Sequence, residues 1–364
     1  MVSKQSILKF TARFTIFVLI TGTVIASAVL TNLYGPTEKL YTDDAWDDVN
    51  PVTPPGNDPF KHNVILDQHS HTTYSDGRLS VKQNIEWHVS MGFNAIVITD
   101  HNTLSHEADL EALKNEYRTE GVIIILGMEW TTDRVHLNFL GLSTWDLPIP
   151  DNPTDAQIKQ AITEAHDQGA VVTINHYPWS LNQARMEDHP TRQEALDWGI
   201  DFIEIVNDDS SPSNAYDSIS DEFCDDHAGQ IGKITGTDMH RPNDLANGGV
   251  SGWTLIDADK FTEEAIMEEL RAHRTEIIRS STPYQDRGEY PNNPAYPPVK
   301  PLGDFGHLFI DLWNDGFTVI EVGSYVAYTL GIFAIFEFYR FAKPKVLKKL
   351  KKTNPEKEKS ESLE

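Results

Sequence analysis

Val64-Ile-Leu-Asp-Gln-His-Ser-His-Thr-Thr-Tyr-Ser-Asp-Gly77 is the stretch on which the reading of this chain turns. The apolar run at 64–66 is too short for a helix and suits a buried strand. Asp67, His69, His71 and Asp76 follow it directly. In extended backbone, residues i and i+2 face the same way, so the imidazoles of His69 and His71 stand side by side where the strand ends. With 14 His in 364 residues, a His-x-His pair turns up by chance in about every second chain of this composition, so the pair alone has little weight. What matters is whether the arrangement recurs.

It recurs down the chain. The apolar run at 95–99 is followed by Asp100 and His101, that at 122–126 by Glu129, that at 171–174 by Asn175 and His176, and that at 231–235 by Asp238 and His240. Further strands are predicted at 137–142, 202–206, 253–256 and 275–278, and helices at about 80–91, 105–118, 154–168, 191–198, 213–228 and 262–272. Ser80, Ser105 and Thr262 are the expected helix starts. Alternation of strands and helices over some 220 residues predicts an α/β fold with a parallel sheet closed into a barrel of seven or eight strands. In such a barrel, groups at the carboxyl ends of the strands converge on one face. No G-x-G-x-x-G follows the first strand, so nothing points to a dinucleotide site.

Composition limits the chemistry. One cysteine, Cys224, excludes an intrachain disulfide and any cysteine-based metal cluster. A metal site must therefore use His, Asp and Glu, a set that suits zinc, manganese or iron and has room for two or three ions. Asp100 is placed as an acceptor orienting His101 or a neighbour, and Asp67 as structural. Asp208 and Asp209 read as an acidic surface loop. His62, His88, His106, His166, His189, His227, His273 and His307 are assigned no site role.

The net charge of −25 is unevenly spread: residues 1–13 and 340–352 hold only basic charges, which leaves −33 on residues 14–339. Such a body repels a phosphate backbone and argues against general nucleic-acid binding. Residues 14–30 carry no charge and are just long enough to cross a hydrocarbon core of ~30 Å. Ala26-Ser27-Ala28 also has the form of a signal-peptide cleavage site. A second apolar run at 317–336 contains only Glu321 and precedes the seven-residue basic cluster, the pattern of a stop-transfer anchor. The expected layout is a signal anchor or signal peptide at 1–31, a linker at 32–61, a catalytic body at 62–281, a Pro-rich linker at 282–316, a transmembrane helix at 317–339 and a charged tail at 340–364. Lys and Arg placement puts the body outside the cytoplasm and both termini inside it if the first segment is retained.

Taken together, Asp67-Gln-His-Ser-His-Thr-Thr-Tyr-Ser-Asp-Gly77, Ile98-Thr-Asp-His-Asn102, Gly127-Met-Glu-Trp-Thr-Thr132, Asn175-His176 and Gly236-Thr-Asp-Met-His240 resemble the ordered motifs of the PHP (polymerase and histidinol phosphatase) superfamily of metallohydrolases. Glu-Trp-Thr-Thr with the nearby His136 resembles most its extracytoplasmic carbaryl-hydrolase-like branch. The resemblance covers roughly residues 62–281. It implies a distorted (β/α)7 TIM-like barrel with up to three divalent ions at its mouth. His69, His71, Asp76, His101, Glu129, His136, His176, Asp238 and His240 would be the ligands, and Glu129, Asp100 and His176 the candidate catalytic residues. Gln68 departs from the apolar residue usual in the family, and His176-Tyr177-Pro178 from its His-Pro. The implied activity is hydrolysis of a small, anionic phosphoester by a metal-activated water. The alternatives are hydrolysis of a carboxylic ester, amide or carbamate, and a non-catalytic extracytoplasmic metal- or ligand-binding module.

Overall fold

A computed structural model describes residues 4–35, 39–54, 61–209, 215–243, 245, 248–290, 296–314 and 319–353. The chain divides into two compact units, residues 41–288 and the two ends together, 1–40 with 289–364. The first helix, α1 (Lys4–Tyr34), belongs to the terminal unit. The body runs β1 (Val64–Asp67), α2 (Val81–Ser90), β2 (Ala95–Ile98), α3 (Glu107–Thr119), β3 (Ile123–Thr131), β4 (His136–Leu140), α4 (Asp155–Asp167), β5 (Val171–Ile174), α5 (Tyr177–Ser180), α6 (Arg192–Trp198), β6 (Phe202–Asn207), α7 (Ser218–Asp226), β7 (Gly232–Gly236), β8 (Gly249–Ile256), α8 (Glu263–Arg271) and β9 (Glu276–Pro283). Two helices of the terminal unit follow, α9 (Tyr296–Asn314) and α10 (Val319–Thr353).

All nine strands form one sheet in the order β7-β6-β5-β4-β3-β2-β1-β8-β9, which curls into a nearly closed barrel. It is mixed, where a parallel sheet of seven or eight strands was expected. β4 runs antiparallel to β3 and β5, and β8 antiparallel to β1 and β9. The reason is connection length: only residues 132–135 separate β3 from β4, and a parallel pairing needs a crossover of a dozen residues or more. Side chains rather than a ladder tie β7 to β8 and β9. Thr254 Oγ1 accepts from Thr235 N at 2.9 Å, and Thr275 Oγ1 donates to Lys233 O at 2.8 Å. Gly252 permits this approach, since a Cβ there would lie 3.0 Å from Thr235 Cβ of β7.

Period-two alternation sorts each strand into an inner and an outer face. Val64, Leu66, Ala95, Val97, Ile123, Ile125, Leu140, Val171, Phe202 and Ile234 form one apolar cluster, joined by Ile266, Met267 and Leu270 of α8. Their neighbours Ile65, Ile96, Ile98, Ile124 and Leu126 belong to a second cluster with α2 and α3, and Val172, Ile174 and Ile203 to a third with α4 and α6. Along the inner face the same period continues from apolar to polar: Ala95-Val97-Thr99-His101, Ile123-Ile125-Gly127-Glu129, Leu140-Asn138-His136 and Ile234-Gly236-Asp238. The barrel is thus greasy at one end and polar at the other.

Helix starts follow local chemistry. Ser80, Thr154 and Thr191 each close a capping box with Gln83, Gln157 and Glu194, and Thr262 accepts from Ala265 N. At α3 the N-cap is His106 without a side-chain cap, so Ser105 does not have the expected role. Residues 41–54, expected to be part of a linker, pack into the body: Trp46 is buried in the α2–α3 cluster, stacks on Tyr41 and donates Nε1 to Gln285 O at 2.9 Å. The Pro-rich stretch from 282 holds the end of β9 and then α9, which keeps Pro301 inside it.

In the terminal unit α1 is long and apolar enough to cross a membrane, the one helix of which this holds among the described residues. The expected second span, 317–339, starts at residues 317 and 318, which lie outside the described residues; from Val319 it is part of α10. A transmembrane role for it is not shown.

Asp201 shows how polar groups secure the body. Its carboxylate accepts from Val172 N and His166 Nε2, both at 2.8 Å, and lies 3.6 Å from His273. Burial would raise its pKa, but these partners hold it below the ordinary carboxylate value. A lowered folded pKa adds stability that is complete above that ordinary value, about 3.9, and is lost as pH falls through the folded value. Asp201→Ala is expected to cost about 1–3 kcal/mol at pH 7. In urea titrations the gap between wild type and variant narrows at pH 3.

Candidate metal centre

At the polar end of the barrel Glu129 is fully buried and faces five imidazoles. Its Oε1 lies 3.1 Å from His136 Nδ1, 3.4 Å from His176 Nε2 and 3.6 Å from His69 Nε2. Its Oε2 lies 2.6 Å from His101 Nδ1 and 3.6 Å from His71 Nε2. Asp238 Oδ1 approaches His71 Nε2 at 3.0 Å and His69 Nε2 at 3.2 Å. Nearer solvent, Asp76 Oδ1 lies 3.2 Å from His240 Nε2 and 3.5 Å from His101 Nε2. Four sets of donor atoms lie within 4.8 Å of one another: His71, Asp76, His101 and His240; His69, His71 and Glu129; Glu129, His136 and His176; and Asp209, Asp238 and His240. All nine residues expected as ligands fall in these sets.

Burial and neighbouring charges displace these groups from their ordinary pKa values in both directions. Burial alone would lower His69, yet Asp238, Glu204 and Glu129 hold it well above its ordinary value. Burial likewise opposes protonation of His101 and His240, which carboxylates nevertheless push up to about 10 and about 12. His71 goes the other way: burial and the neighbouring His240 bring it down to about 4. Glu129 and Asp238 are held well below the carboxylate range by surrounding imidazoles that outweigh the upward push of burial. Among the buried atoms, His69 Nε2, His71 Nδ1 and His136 Nε2 have no hydrogen-bond partner. Leaving such atoms unsatisfied costs free energy, and an all-N/O donor set suits divalent cations of the zinc, manganese and iron type. The residues fit a cluster of such ions.

A shell of polar residues holds the donors in place. Glu204, fully buried, sits 2.9 Å from His69 Nδ1 and accepts from Gln68 Nε2 at 2.8 Å, His176 N at 2.9 Å and Asn207 Nδ2 at 2.9 Å. Gln68 therefore serves this network where an apolar residue would not: its Oε1 accepts from Asn138 Nδ2 at 3.0 Å. Asn175 donates from Nδ2 to Glu129 Oε1 at 3.0 Å and Asn207 to Asp238 Oδ2 at 3.0 Å. Asp67 is structural, with His88 Nε2 at 2.6 Å and Thr237 N at 3.0 Å.

The structure narrows one expectation and changes two. Of His101 or a neighbour, Asp100 supports the neighbour: its oxygens accept from Thr72 N and Oγ1 and from Ser75 Oγ and lie 3.1 Å from His106. It braces the His-x-His loop from behind and is not placed to touch a substrate. Asp208 is buried, accepts from Ser251 N and Oγ, and is pushed up to about 7 by burial against those bonds. Asp209 faces the site, 3.4 Å from His240 Nδ1. Glu204 and Asp209 were missed by sequence reasoning. The signal for Glu204 was available, a charge in the middle of the apolar run Phe202-Ile-Glu-Ile-Val206.

Backbone strain gathers here as well. Among the described residues four non-glycine positions have positive φ, and Asn102 (54°), His176 (32°) and Asp238 (52°) are three of them.

Residues 67–206 match the PHP domain model. The matched span runs from the last residue of β1 through β2 to β5 and most of β6, and includes the donors from His69 to His176. No curated protein matches the chain. Among solved structures, the chain is similar to a two-domain protein of Bacteroides vulgatus containing a predicted PHP-like metal-dependent phosphoesterase (23% identity, 64% of this chain and 68% of that one, TM-score 0.48). It is also similar to a protein of Bifidobacterium adolescentis described as a metal-dependent phosphoesterase (15%, 57% and 96%, 0.40), and to an amidohydrolase of Chromobacterium violaceum with bound sulfate and no metal (16%, 59% and 97%, 0.37).

Glu204 fixes His69 through the nitrogen that points away from the cluster, the arrangement that sets tautomer and ring orientation of a ligating histidine. Glu204→Gln is expected to weaken metal affinity about 10- to 100-fold, measured by chelator competition, with an unchanged circular dichroism spectrum.

Proposed function

We propose that the protein is a metal-dependent hydrolase of the PHP type acting on a phosphoester, with its donor sets holding two or three divalent ions. The observation that carries this reading is the burial of Glu129 among five imidazoles, an arrangement that is costly without cations to satisfy it. Bound there, such ions supply Lewis acidity toward an anionic oxygen and a lowered pKa for water. The chain's own contribution is placement. Glu129 offers Oε1 to the His69, His136 and His176 side and Oε2 to the His71 and His101 side, so one carboxylate joins two donor sets. Asp76, His101 and His240 stand at the more exposed rim, where a substrate enters. The cavity they line, of about 280 Å³, also includes Glu129, His136, His176 and Asp238 and suits a small molecule.

Elemental analysis of protein purified without chelator is expected to find at least two equivalents of divalent metal. His71→Ala and Asp238→Ala are expected to lower turnover of p-nitrophenyl phosphate by a factor of 100 or more while the fold persists. A phosphodiester and an aryl carbamate run in parallel separate the reactions. Metal uptake without turnover of any of the three would support the non-catalytic binding module instead.

α1 and α10 anchor this hydrolase in a bilayer in the same reading. Both helices present large apolar side chains outward, such as Leu8, Leu19, Ile335 and Phe338, an exposure that suits lipid. Between them Phe333 is ringed by Phe10, Phe14 and Phe17, and Glu337 takes a bidentate pair from Arg13 at 2.6 and 2.9 Å. Ala28 is fully buried, and a Cβ on Gly306 of α9 would lie 2.1 Å from its carbonyl. In this reading the N-terminal segment is an anchor that is kept, a role supported by these contacts, since cleavage after Ala28 would remove all these partners at once. Intact mass of the protein extracted from membranes is expected to include residues 1–28; a chain starting at Val29 would refute this.

A further inference from the structure

The loop that brings His176 to the cluster carries two more side chains to the mouth. Trp179, in α5, has its ring 4.8 Å from that of His176 and 5.5 Å from that of His136. Arg185 follows in the 3₁₀ turn Ala184–Met186, which the buried Met186 pins to the body. Its guanidinium lies 5.9 Å from the Trp179 ring. A second cavity of about 330 Å³ adjoins the metal-donor cavity, and Thr131 and Arg185 line both. Ile149 and Pro150 give it an apolar side, Asp133 and Asp151 an acidic one.

Apart from histidines, Arg185 is the one cationic side chain lining either cavity among the described residues. The nearby Arg134 is committed elsewhere, donating to Asp188 O, Pro153 O and Asp155 Oδ1. Arg185 has only a loose pair with Asp133 at 3.8 Å and keeps its guanidinium exposed. In a body of net −33 an anion nearing this mouth meets Asp76, Asp209 and Asp238, and one arginine at the rim offsets part of that repulsion where the anion enters. Its planar fork also matches phosphate oxygens, which a lysine cannot reproduce.

We propose that Arg185 is the phosphate-recognition residue of this site and that the adjoining cavity receives the alcohol portion of the substrate. This rests on the phosphoester reading and narrows it. Asp133 and Asp151 disfavour a second negative group in the adjoining cavity, so the substrate is a small phosphate ester whose alcohol portion is neutral or amino-bearing.

The test uses the full-length, metal-loaded protein with Arg185→Ala, Arg185→Lys and Asp133→Asn. Calorimetry with inorganic phosphate is expected to show binding weakened about tenfold or more in Arg185→Ala and partly restored in Arg185→Lys, with metal content equal to wild type. KM for p-nitrophenyl phosphate rises in parallel while kcat changes little, and KM for neutral p-nitrophenyl acetate is unaffected. Wild type prefers O-phosphoethanolamine to phosphoglycolate in kcat/KM, and Asp133→Asn narrows that preference. Unchanged phosphate affinity in Arg185→Ala, lost metal, or equal damage toward the neutral ester would overturn the assignment. Should no ester be hydrolysed at all, the phosphoesterase reading falls, and Arg185-dependent phosphate binding still decides the recognition claim.

Discussion

The structure of the body depends on one constraint: a carboxylate, Glu129, is buried without exposure at the end of a barrel whose other end is packed with Val, Ile and Leu. An isolated charge in that position costs several kcal/mol. Five imidazoles approach it, but four of them, His69, His71, His136 and His176, are themselves buried, and several ring nitrogens have no hydrogen-bond partner. Protein groups alone do not close the account of donors and acceptors. Divalent cations would, because each supplies a positive charge and empty coordination positions together.

The mixed sheet matters to that constraint. Were β4 parallel to β3, as a regular (β/α) repeat would have it, its first residue would lie at the apolar end of the barrel. Running antiparallel, β4 starts at the mouth with His136 paired in register to Thr131 and passes downward through Asn138 to Leu140. The hairpin therefore brings a donor from the start of a strand to the face where the other strands deliver theirs near their ends. Pairing of Asn138 with Glu129 in the same ladder places the amide that supports Gln68 and Asn175 directly beneath the donors.

Much of this was legible in the chain itself. Runs of three to six residues located all nine strands of the described residues, and most candidate donors could be picked because residues of ligating type stood just beyond those runs. Glu129 is the instructive exception in position: it lies inside β3, since that strand continues to Thr131 through Gly127 and Trp130. Strand direction was not legible from residue type: the runs at 122–126 and 137–142 left ten residues between them, and only the extension of β3 to Thr131 and the start of β4 at His136 shorten the link to four. Glu204 escaped notice because an alternating strand can carry a polar residue outward just as well. Only the barrel's closure shows that its period places it inward, beneath His69. Asp209 lay in an acidic doublet, and composition cannot separate its two members: Asp208 turns back to Ser251 while Asp209 faces His240. Trp46 was hidden by its Pro-rich, aperiodic surroundings.

Strain and support at the mouth are linked. His176 and Asp238 hold left-handed backbone conformations, which cost of order 1–3 kcal/mol each for such residues. Each is over-determined by hydrogen bonds. His176 N donates to Glu204 Oε2, and Asp238 N to His69 O while Met239 O accepts from His71 N. Those two backbone bonds zip the loop after β1 to the loop after β7, so the His-x-His pair and the Asp-x-His pair move together or not at all. Because Glu204 binds both the His176 backbone and the His69 ring, the loop bearing Trp179 and Arg185 is tied to the same frame. A displacement of that loop would disturb the donors, and a change in the donors would shift the loop. Recognition at the rim and the geometry of the cluster are thus one mechanical unit built on a few buried polar side chains.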